Sequence, residues 1–344
     1  MNAPPQAGQP SQGGQPMTRA LFRSVAMDGQ PSLYCKLYYP ASYSGSLQEK
    51  NTGALPILDR GRPYPVAVLM PGINVSPEAY GWLATALVEA GFISLIYGWI
   101  VEEMPGMAAL SPGLDISALA PEQYGKRPSA TALKAVLEDL EKQNAAGPLA
   151  GHLDLQRVLL GGHSAGGSVA LMNANADWFP GLRAAFAYGS HSKASTMLGY
   201  PADTVLPLPD ALPLLILGGS EDGVIAASAF RYDGEGKADQ EQKPDPVGPL
   251  QRSFDEALGS QRGDCYLGIA AGANHFSLAW PADPATGRPF LDWETQRPGE
   301  QIRADLARAI CQFARAHVAG EAAARSELLE TLENREYYAL SAVR

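Results

Sequence analysis

Short apolar runs recur along the chain at intervals that leave room for a helix between them. They occupy residues 66–70, 92–97, 158–160, 184–188, 214–217 and 265–269, and a tyrosine-rich run covers 33–39. Runs of this length without polar alternation are typical of strands buried on both faces. Residues 301–317 have helical spacing instead, with an apolar residue every three or four positions. The pattern predicts an α/β protein with a mostly parallel central sheet and helices on both faces.

Shifts in composition divide the chain into three parts. Residues 1–20 are rich in Pro, Gln and Gly and are predicted to be a disordered tail, and residues 21–319 form the predicted single domain. Within this domain, 102–128 holds four prolines and is a candidate lid, while 231–248 is polar and is interpreted as an inserted loop. Residues 320–344 are predicted to be a helical extension that docks on the domain or on a second subunit, so a homodimer is one hypothesis.

Charge and cysteine content exclude several classes of function. The net charge of −10, with no Lys/Arg run longer than two, argues against a nucleic-acid partner. No apolar stretch reaches the roughly 18 residues of a membrane span, and the N-terminal residues lack the apolar core of a signal peptide, so a cytoplasmic location is expected. Three cysteines, Cys35, Cys265 and Cys311, lack a metal-binding spacing and are interpreted as buried thiols. A Cys265–Cys311 bridge stays open for an exported protein.

The stretch GGHSAGG, residues 161–167, places one serine among small residues between a predicted strand and a predicted helix. Gly162, Ser164 and Gly166 fit the G-x-S-x-G pattern of the nucleophile elbow, a sharp turn that exposes a serine hydroxyl at the edge of the sheet. The turn strains the serine backbone and brings the flanking chain so close that only minimal side chains fit there. The pattern alone is common, but its position between strand and helix is informative. Ser164 is therefore the candidate nucleophile.

A serine nucleophile requires a base, and the base requires an acid that orients it. In chains with this elbow, the acid and then the histidine follow the serine. His275 lies just after the 265–269 run and is the candidate base, because the other histidines fit less well. Asp222 follows the 214–217 run and is the candidate acid, with Glu221 as the alternative.

Two backbone N–H groups are needed to meet the oxyanion of an acyl-transfer intermediate. One is that of Ala165, and the other is expected in the loop after residues 66–70, where Ile73 is preferred over Gly72 and Asn74. Apolar side chains near strand ends, together with two histidines and the oxyanion loop, are candidates for the substrate pocket: Gly72, Asn74, Trp99, Met104, His163, His191 and Trp280. A hydrophobic ester of small to moderate size is the expected substrate, although the same apolar residues also suit a core.

Four stretches together are similar to one superfamily of enzymes: MPGINVSPEAY (70–80), GHSAG (162–166), GGSEDGV (218–224) and GANHF (272–276). On these residues, and over about residues 30–318, the chain resembles the α/β-hydrolases. Within them it is most similar to the serine esterase branch of dienelactone hydrolase-like enzymes, chlorophyllases, platelet-activating-factor acetylhydrolases and cutinase-like polyester hydrolases. The resemblance implies the α/β-hydrolase fold, no cofactor, and these residues as triad and oxyanion donors: Ser164, Asp222, His275, Ile73 and Ala165.

These observations predict a serine hydrolase that cleaves a carboxylic ester through an acyl-enzyme, without a metal. Thioester, lactone and chlorophyllase-like pigment-ester substrates stay open. The alternative of another class is a hydrolase-fold binding protein without catalysis, against which the filled triad positions argue. A serine peptidase of the same fold usually carries a propeller or a larger cap domain, for which this chain is too short.

Overall fold

The computed structural model describes residues 15–104, 106–228 and 244–344, except for the side chains of residues 103 and 104. Ten strands in this part of the chain form one sheet. They are β1 (Gln15–Met27), β2 (Gln30–Tyr43), β3 (Tyr64–Met70), β4 (Ile93–Met104), β5 (Met107–Ser111), β6 (Leu153–His163), β7 (Leu182–Tyr188), β8 (Leu214–Gly219), β9 (Cys265–Ala270) and β10 (Tyr338–Val343).

The sheet is parallel at its centre and antiparallel at its edges. The strand order is β1-β2-β4-β3-β6-β7-β8-β9-β10, with β5 paired to the outer half of β4. All neighbours from β4 to β9 run parallel, and the pairs β1–β2, β2–β4 and β9–β10 are antiparallel. The predicted α/β class with a mostly parallel sheet is confirmed. Because the central strands are parallel, their carboxyl ends meet at one edge, where ligands bind in sheets of this kind.

Helices cover both faces of the sheet, as the continuous apolar strands require. They are α1 (Leu47–Thr52), α2 (Gly81–Glu89), α3 (Leu133–Ala145), α4 (Ala165–Met172), α5 (Gly223–Ala227), α6 (Gly248–Ala257), α7 (Gly299–Ala314) and α8 (Ala322–Glu333). Alternate residues of β3 face opposite ways: Val66 and Val68 join the core under α3, α4 and α6, whereas Ala67 and Leu69 join the core under α2, α7 and α8.

Part of the predicted tail belongs to the first strand. Strand β1 starts at Gln15, six residues before the predicted boundary at residue 21, and residues 1–14 lie outside the described part. The strand is held by its antiparallel pairing with β2, in which Leu21 lies opposite Leu37. Gly29 in the connecting turn has a φ of 66°, a left-handed conformation that glycine adopts without strain.

The C-terminal segment also differs from its prediction. Only its first half is helical, and residues 338–343 form β10, which pairs antiparallel with β9. Leu328, Leu332 and Tyr338 are buried in the core between the sheet and α7. Of the two predicted docking partners, the segment therefore packs on the domain of the same chain, and the homodimer stays a hypothesis.

Three further expectations concern the inserted loop, the cysteines and the absence of a membrane span. The predicted inserted loop 231–248 lies largely outside the described residues, and its last part leads into α6. The three cysteines are free thiols, so the Cys265–Cys311 bridge is absent from the structure. Within the described ranges, none of the helices is both long and apolar enough to cross a membrane.

Candidate active site

Ser164 occupies the turn between β6 and α4, with φ 55° and ψ −123°. A positive φ is rare for a residue with a side chain, and it persists only where the surroundings hold it. Here the Ser164 amide donates to the carbonyl of Tyr188 at 2.9 Å, and the Ser164 carbonyl accepts from the Ser190 hydroxyl and the Ser168 amide. These bonds fix the strained turn against β7 and the first turn of α4.

The glycines of the elbow are required by close approach of the backbone. A Cβ on Gly162 would collide with the backbone of Gly166, and a Cβ on Gly166 would collide with the carbonyls of Met70 and Pro71. Strand β3, strand β6 and helix α4 therefore meet without side chains between them. The composition of GGHSAGG follows from this packing.

Asp222 and His275 form a hydrogen-bonded pair that is shielded from solvent. Asp222 ends the turn after β8 and caps α5, with Oδ1 accepting from the Ile225 amide at 2.8 Å. Its Oδ2 lies 2.8 Å from Nδ1 of His275, in the short 3₁₀ turn after β9. Gly189 closes over the pair, because a Cβ there would lie within about 3 Å of both side chains. Glu221, the alternative acid, bonds instead with the hydroxyl of Ser220.

Ser164 and His275 line the same cavity, whose volume is about 550 Å³. Its wall includes Ile73 and Ala165, the two predicted oxyanion donors. The structure thus brings the serine, the histidine–aspartate pair and both amides to one side of the sheet, although Ile73 and His275 are more than 200 residues apart in the chain.

The amides of Gly72, Ile73 and Asn74, in the loop after β3, differ in their hydrogen bonding. The Gly72 amide donates to the Tyr80 hydroxyl at 2.9 Å, and the Asn74 amide donates to the carbonyl of Leu110 at 2.7 Å. The Asn74 side chain accepts in turn from the Leu110 amide, which ties the loop to β5. Among the described residues, the Ile73 amide is the one of the three without an acceptor, and Ile73 lines the cavity.

His163 lies behind Ser164, wholly buried, and connects two loops. Its Nε2 faces the His275 carbonyl at 3.0 Å, and its Nδ1 faces the Tyr80 hydroxyl at 2.8 Å. A carbonyl only accepts, so Nε2 carries the proton and Tyr80 donates to Nδ1. Burial, and then the nearby His275, hold the pKa of His163 well below 6.5. The neutral ring thus joins the oxyanion loop, through Tyr80, to the backbone of His275.

His191, after β7, lines the cavity as predicted. Its Nδ1 accepts from the Lys193 amide at 3.2 Å, and burial, followed by the charge of Lys193, lowers its pKa to about 3. Lys193 also lines the cavity, while its ammonium pairs with Asp203 at 3.1 Å. His191 and Lys193 therefore give the cavity polar lining, in which His191 is neutral and the charge of Lys193 is paired with Asp203.

Apolar side chains also line the cavity, and some of them come from the predicted lid. The hairpin of β4 and β5 and the segment after it contribute three residues, Met107, Leu114 and Leu119. The remaining apolar lining comes from other elements and includes Val75, Met172, Leu198, Leu206, Val224 and Ile225. Residues 102–128 thus form a wall of the cavity.

Asn74, like His163 and His191, lines the cavity, whereas the predicted pocket residues Gly72, Trp99 and Trp280 are not part of its lining. Trp99 is buried in the core and donates from Nε1 to the carbonyl of Pro31 at 2.8 Å. Trp280 is half exposed and stacks against the guanidinium of Arg303, outside the cavity. The side chain of Met104 lies outside the described part of the chain.

Sequence reasoning missed two residues that support the site. Tyr80 ends the stretch MPGINVSPEAY, but nothing in the sequence indicates that its hydroxyl bridges Gly72 and His163. Asp292 accepts from the amides of His275 and Phe276, and no signal in its loop points to the triad.

In comparisons with known proteins, the chain matches no protein-family model, and no curated protein matches it either. Over the described ranges, no group of three or more His, Cys, Asp or Glu side chains is placed to hold a metal ion.

Proposed function

We propose that the chain is a serine hydrolase of the α/β-hydrolase superfamily that cleaves a carboxylic ester. The observation that carries the proposal is the Asp222–His275 pair at 2.8 Å, whose imidazole lines the same cavity as a serine held at positive φ. A solvent-shielded carboxylate that orients an imidazole, in the same cavity as a strained serine, fits the arrangement used for acyl transfer.

The order of elements supports the superfamily. Ser164 lies on a strand-to-helix turn, and the acid and then the base follow it in the chain, each after a later strand. The second oxyanion donor comes from the loop after β3, as in hydrolases with this elbow. Strand ends that converge at one edge of a parallel sheet make this arrangement possible.

In the proposed reaction, Ser164 Oγ attacks the ester carbonyl while Nε2 of His275 takes its proton. Asp222 fixes the tautomer of the imidazole and stabilises the imidazolium. The amides of Ile73 and Ala165 donate to the tetrahedral oxyanion. His275 then protonates the leaving alcohol, and water repeats the sequence on the acyl-enzyme to release the acid and regenerate Ser164.

The cavity favours an apolar group of moderate size on the substrate. Its volume of about 550 Å³ falls in the usual range for small-molecule sites, roughly 300–1,000 Å³. Leu114, Leu119 and Met172 are among the apolar side chains that line it and would contact an apolar acyl chain. An aliphatic or aryl ester is therefore the preferred substrate of the proposal.

A hydrolysis screen tests this function. p-Nitrophenyl esters of graded chain length, with bulky aryl esters, lactones and thioesters beside them, are assayed with the wild-type chain and with Ser164→Ala. We expect turnover of medium-length esters that Ser164→Ala abolishes while the fold is retained. The matched control is Ser94→Ala. Ser94 lies in β4, and its buried hydroxyl has no hydrogen-bond partner among the described residues.

Each outcome has a consequence for the proposal. Full activity of Ser164→Ala would exclude the serine as nucleophile. No turnover of any ester by the wild type, with lactone or thioester hydrolysis instead, would keep the nucleophile and change the substrate class. No turnover of any kind would favour the non-catalytic binding protein.

A further inference from the structure

Asp292 lies where two loops of the proposed active site meet. It follows a short 3₁₀ turn, Pro289–Leu291, and its carboxylate accepts from backbone amides of both loops. Oδ1 accepts from the amides of His275 at 3.1 Å and Gly223 at 3.0 Å, and Oδ2 accepts from the amide of Phe276 at 3.0 Å. One carboxylate thus holds the proposed base, the residue after it and the residue after the proposed acid.

These amides belong to the first residues of two helical segments. Gly223 begins α5, and His275 begins the 3₁₀ turn that carries the imidazole. The first N–H groups of a helix lack intrahelical acceptors, and an anion placed there is stabilised by the helix dipole. Asp222 uses one oxygen for its own helix and the other for the imidazole, so of the two carboxylates only Asp292 accepts from backbone amides of both loops. The loops are also joined upstream of the pair, where the Glu221 amide donates to the Ala273 carbonyl at 2.8 Å.

Asp292 is also a second negative charge beside the imidazole. The titratable groups that face His275 come from four elements: Asp222 before α5, His163 at the end of β6, His191 after β7, and Asp292. Both histidines are buried and hold low pKa values, so they stay neutral at neutral pH. Burial, and to a smaller degree Asp222, raise the pKa of Asp292, and the amides and His275 oppose that shift.

We propose that Asp292 is a positioning residue of the triad: its carboxylate holds His275 in register with Asp222, and its charge stabilises the imidazolium. The inference rests on the proposed function. The geometry separates its two effects, because the amide contacts depend on the oxygens and the electrostatic effect depends on the charge.

Two substitutions divide these effects. Asp292→Asn keeps the size and one acceptor oxygen but removes the charge, whereas Asp292→Ala removes both. For Asp292→Asn we expect kcat to fall about tenfold, with KM changed less than about threefold. For Asp292→Ala we expect a fall of about 100-fold, since a misplacement of about 1 Å costs on the order of 10² in rate. In both variants the acid limb of kcat/KM should move to lower pH by roughly 0.5 unit or more, because the imidazolium loses a neighbouring anion.

The matched control is Asp210→Asn. The Asp210 carboxylate accepts from the amides of Gly259 and Ser260, in a loop that contributes nothing to the cavity lining. We expect its loss to leave kcat and the pH profile unchanged. Asp292 variants that match this control in both kcat and acid limb would overturn the proposal.

A second measurement keeps the inference testable if no ester is turned over. In the Ser164→Ala background, the downfield proton resonance of the Asp222–His275 hydrogen bond reports the pair directly. We expect Asp292→Ala to shift or broaden this resonance and Asp210→Asn to leave it in place. An unchanged resonance in Asp292→Ala would refute the positioning role, whereas failure of the esterase proposal alone would leave the expected shift intact.

Discussion

Replacing Tyr80 with phenylalanine tests whether the buried network behind the serine serves catalysis. The Tyr80 hydroxyl accepts from the Gly72 amide at 2.9 Å and donates to Nδ1 of His163 at 2.8 Å. Tyr80→Phe removes only this oxygen. The Gly72 amide then loses its acceptor, and the ring of His163 loses its donor, at a site where Tyr80 is 2% exposed.

The magnitude follows from the two groups left without partners. Each buried polar group without a hydrogen bond costs about 1–3 kcal/mol. Part of this cost is offset, because the variant has no hydroxyl to remove from water on folding. We therefore expect the free energy of unfolding to fall by about 2–3 kcal/mol. For 344 residues, the entropy of unfolding is about 0.7 kcal/mol/K, which converts this loss into about 3–4 °C of Tm. Gly72 directly precedes the Ile73 amide, and loss of a whole oxyanion donor costs about 10²–10³ in kcat. A misaligned donor should therefore cost about tenfold, with KM nearly unchanged.

The assay combines thermal unfolding with steady-state kinetics on the best p-nitrophenyl ester. The matched control is Tyr39→Phe, which removes an equally buried hydroxyl that donates only to the Leu55 carbonyl at 3.0 Å. We expect the control to lose about 1 kcal/mol of stability and no activity. If Tyr80→Phe and Tyr39→Phe have the same kcat, the network is structural and the reasoning is refuted.

Three further predictions follow. Gly162→Ala should give no folded protein by circular dichroism, because a Cβ there collides with backbone. The control Gly29→Ala should fold, because a Cβ at Gly29 would meet nothing within 4 Å. A native spectrum for Gly162→Ala would contradict the elbow packing. Asp222→Asn should lower kcat about 10⁴-fold in ester assays without unfolding the chain, and a loss of less than about tenfold would count against its role. His191 has a folded pKa of about 3, below its unfolded value, so the unfolded state binds more protons below pH 6.5 and stability falls as pH drops. Between pH 7.5 and 5.5, the free energy of unfolding measured in urea should fall by about 1 kcal/mol less for His191→Gln than for the wild type. Equal decreases would contradict the buried, neutral state of His191.

The sheet and the triad candidates could be predicted because both leave local signals. Strands buried on two faces are continuous apolar runs, and each predicted run overlaps a strand of the structure, with only Phe92 lying one residue before β4. The elbow needs small residues at fixed positions, and the chain order of the acid and the base follows from the direction of parallel strands. Ser164, Asp222 and His275 were therefore identifiable as candidates without coordinates.

Edge strands and side-chain orientation left no such signal. Strand β1 is largely exposed and mixes charged and apolar residues, so Gln15–Met27 has no apolar run. Trp99 was placed at a strand end, but β4 continues to residue 104, and this tryptophan turns into the core. Asp292 lies 17 residues after His275, and only the folded chain brings its carboxylate to the amides it caps.

Covalent labelling with a fluorophosphonate tests the central claim most directly, because it requires an activated serine and no knowledge of the substrate. Mass spectrometry of the labelled chain locates the adduct, and the labelling rate is compared with that of His275→Ala. We predict a single adduct on Ser164 and a rate at least about 100-fold lower in His275→Ala. An unmodified Ser164, or equal rates in the two proteins, would contradict the account.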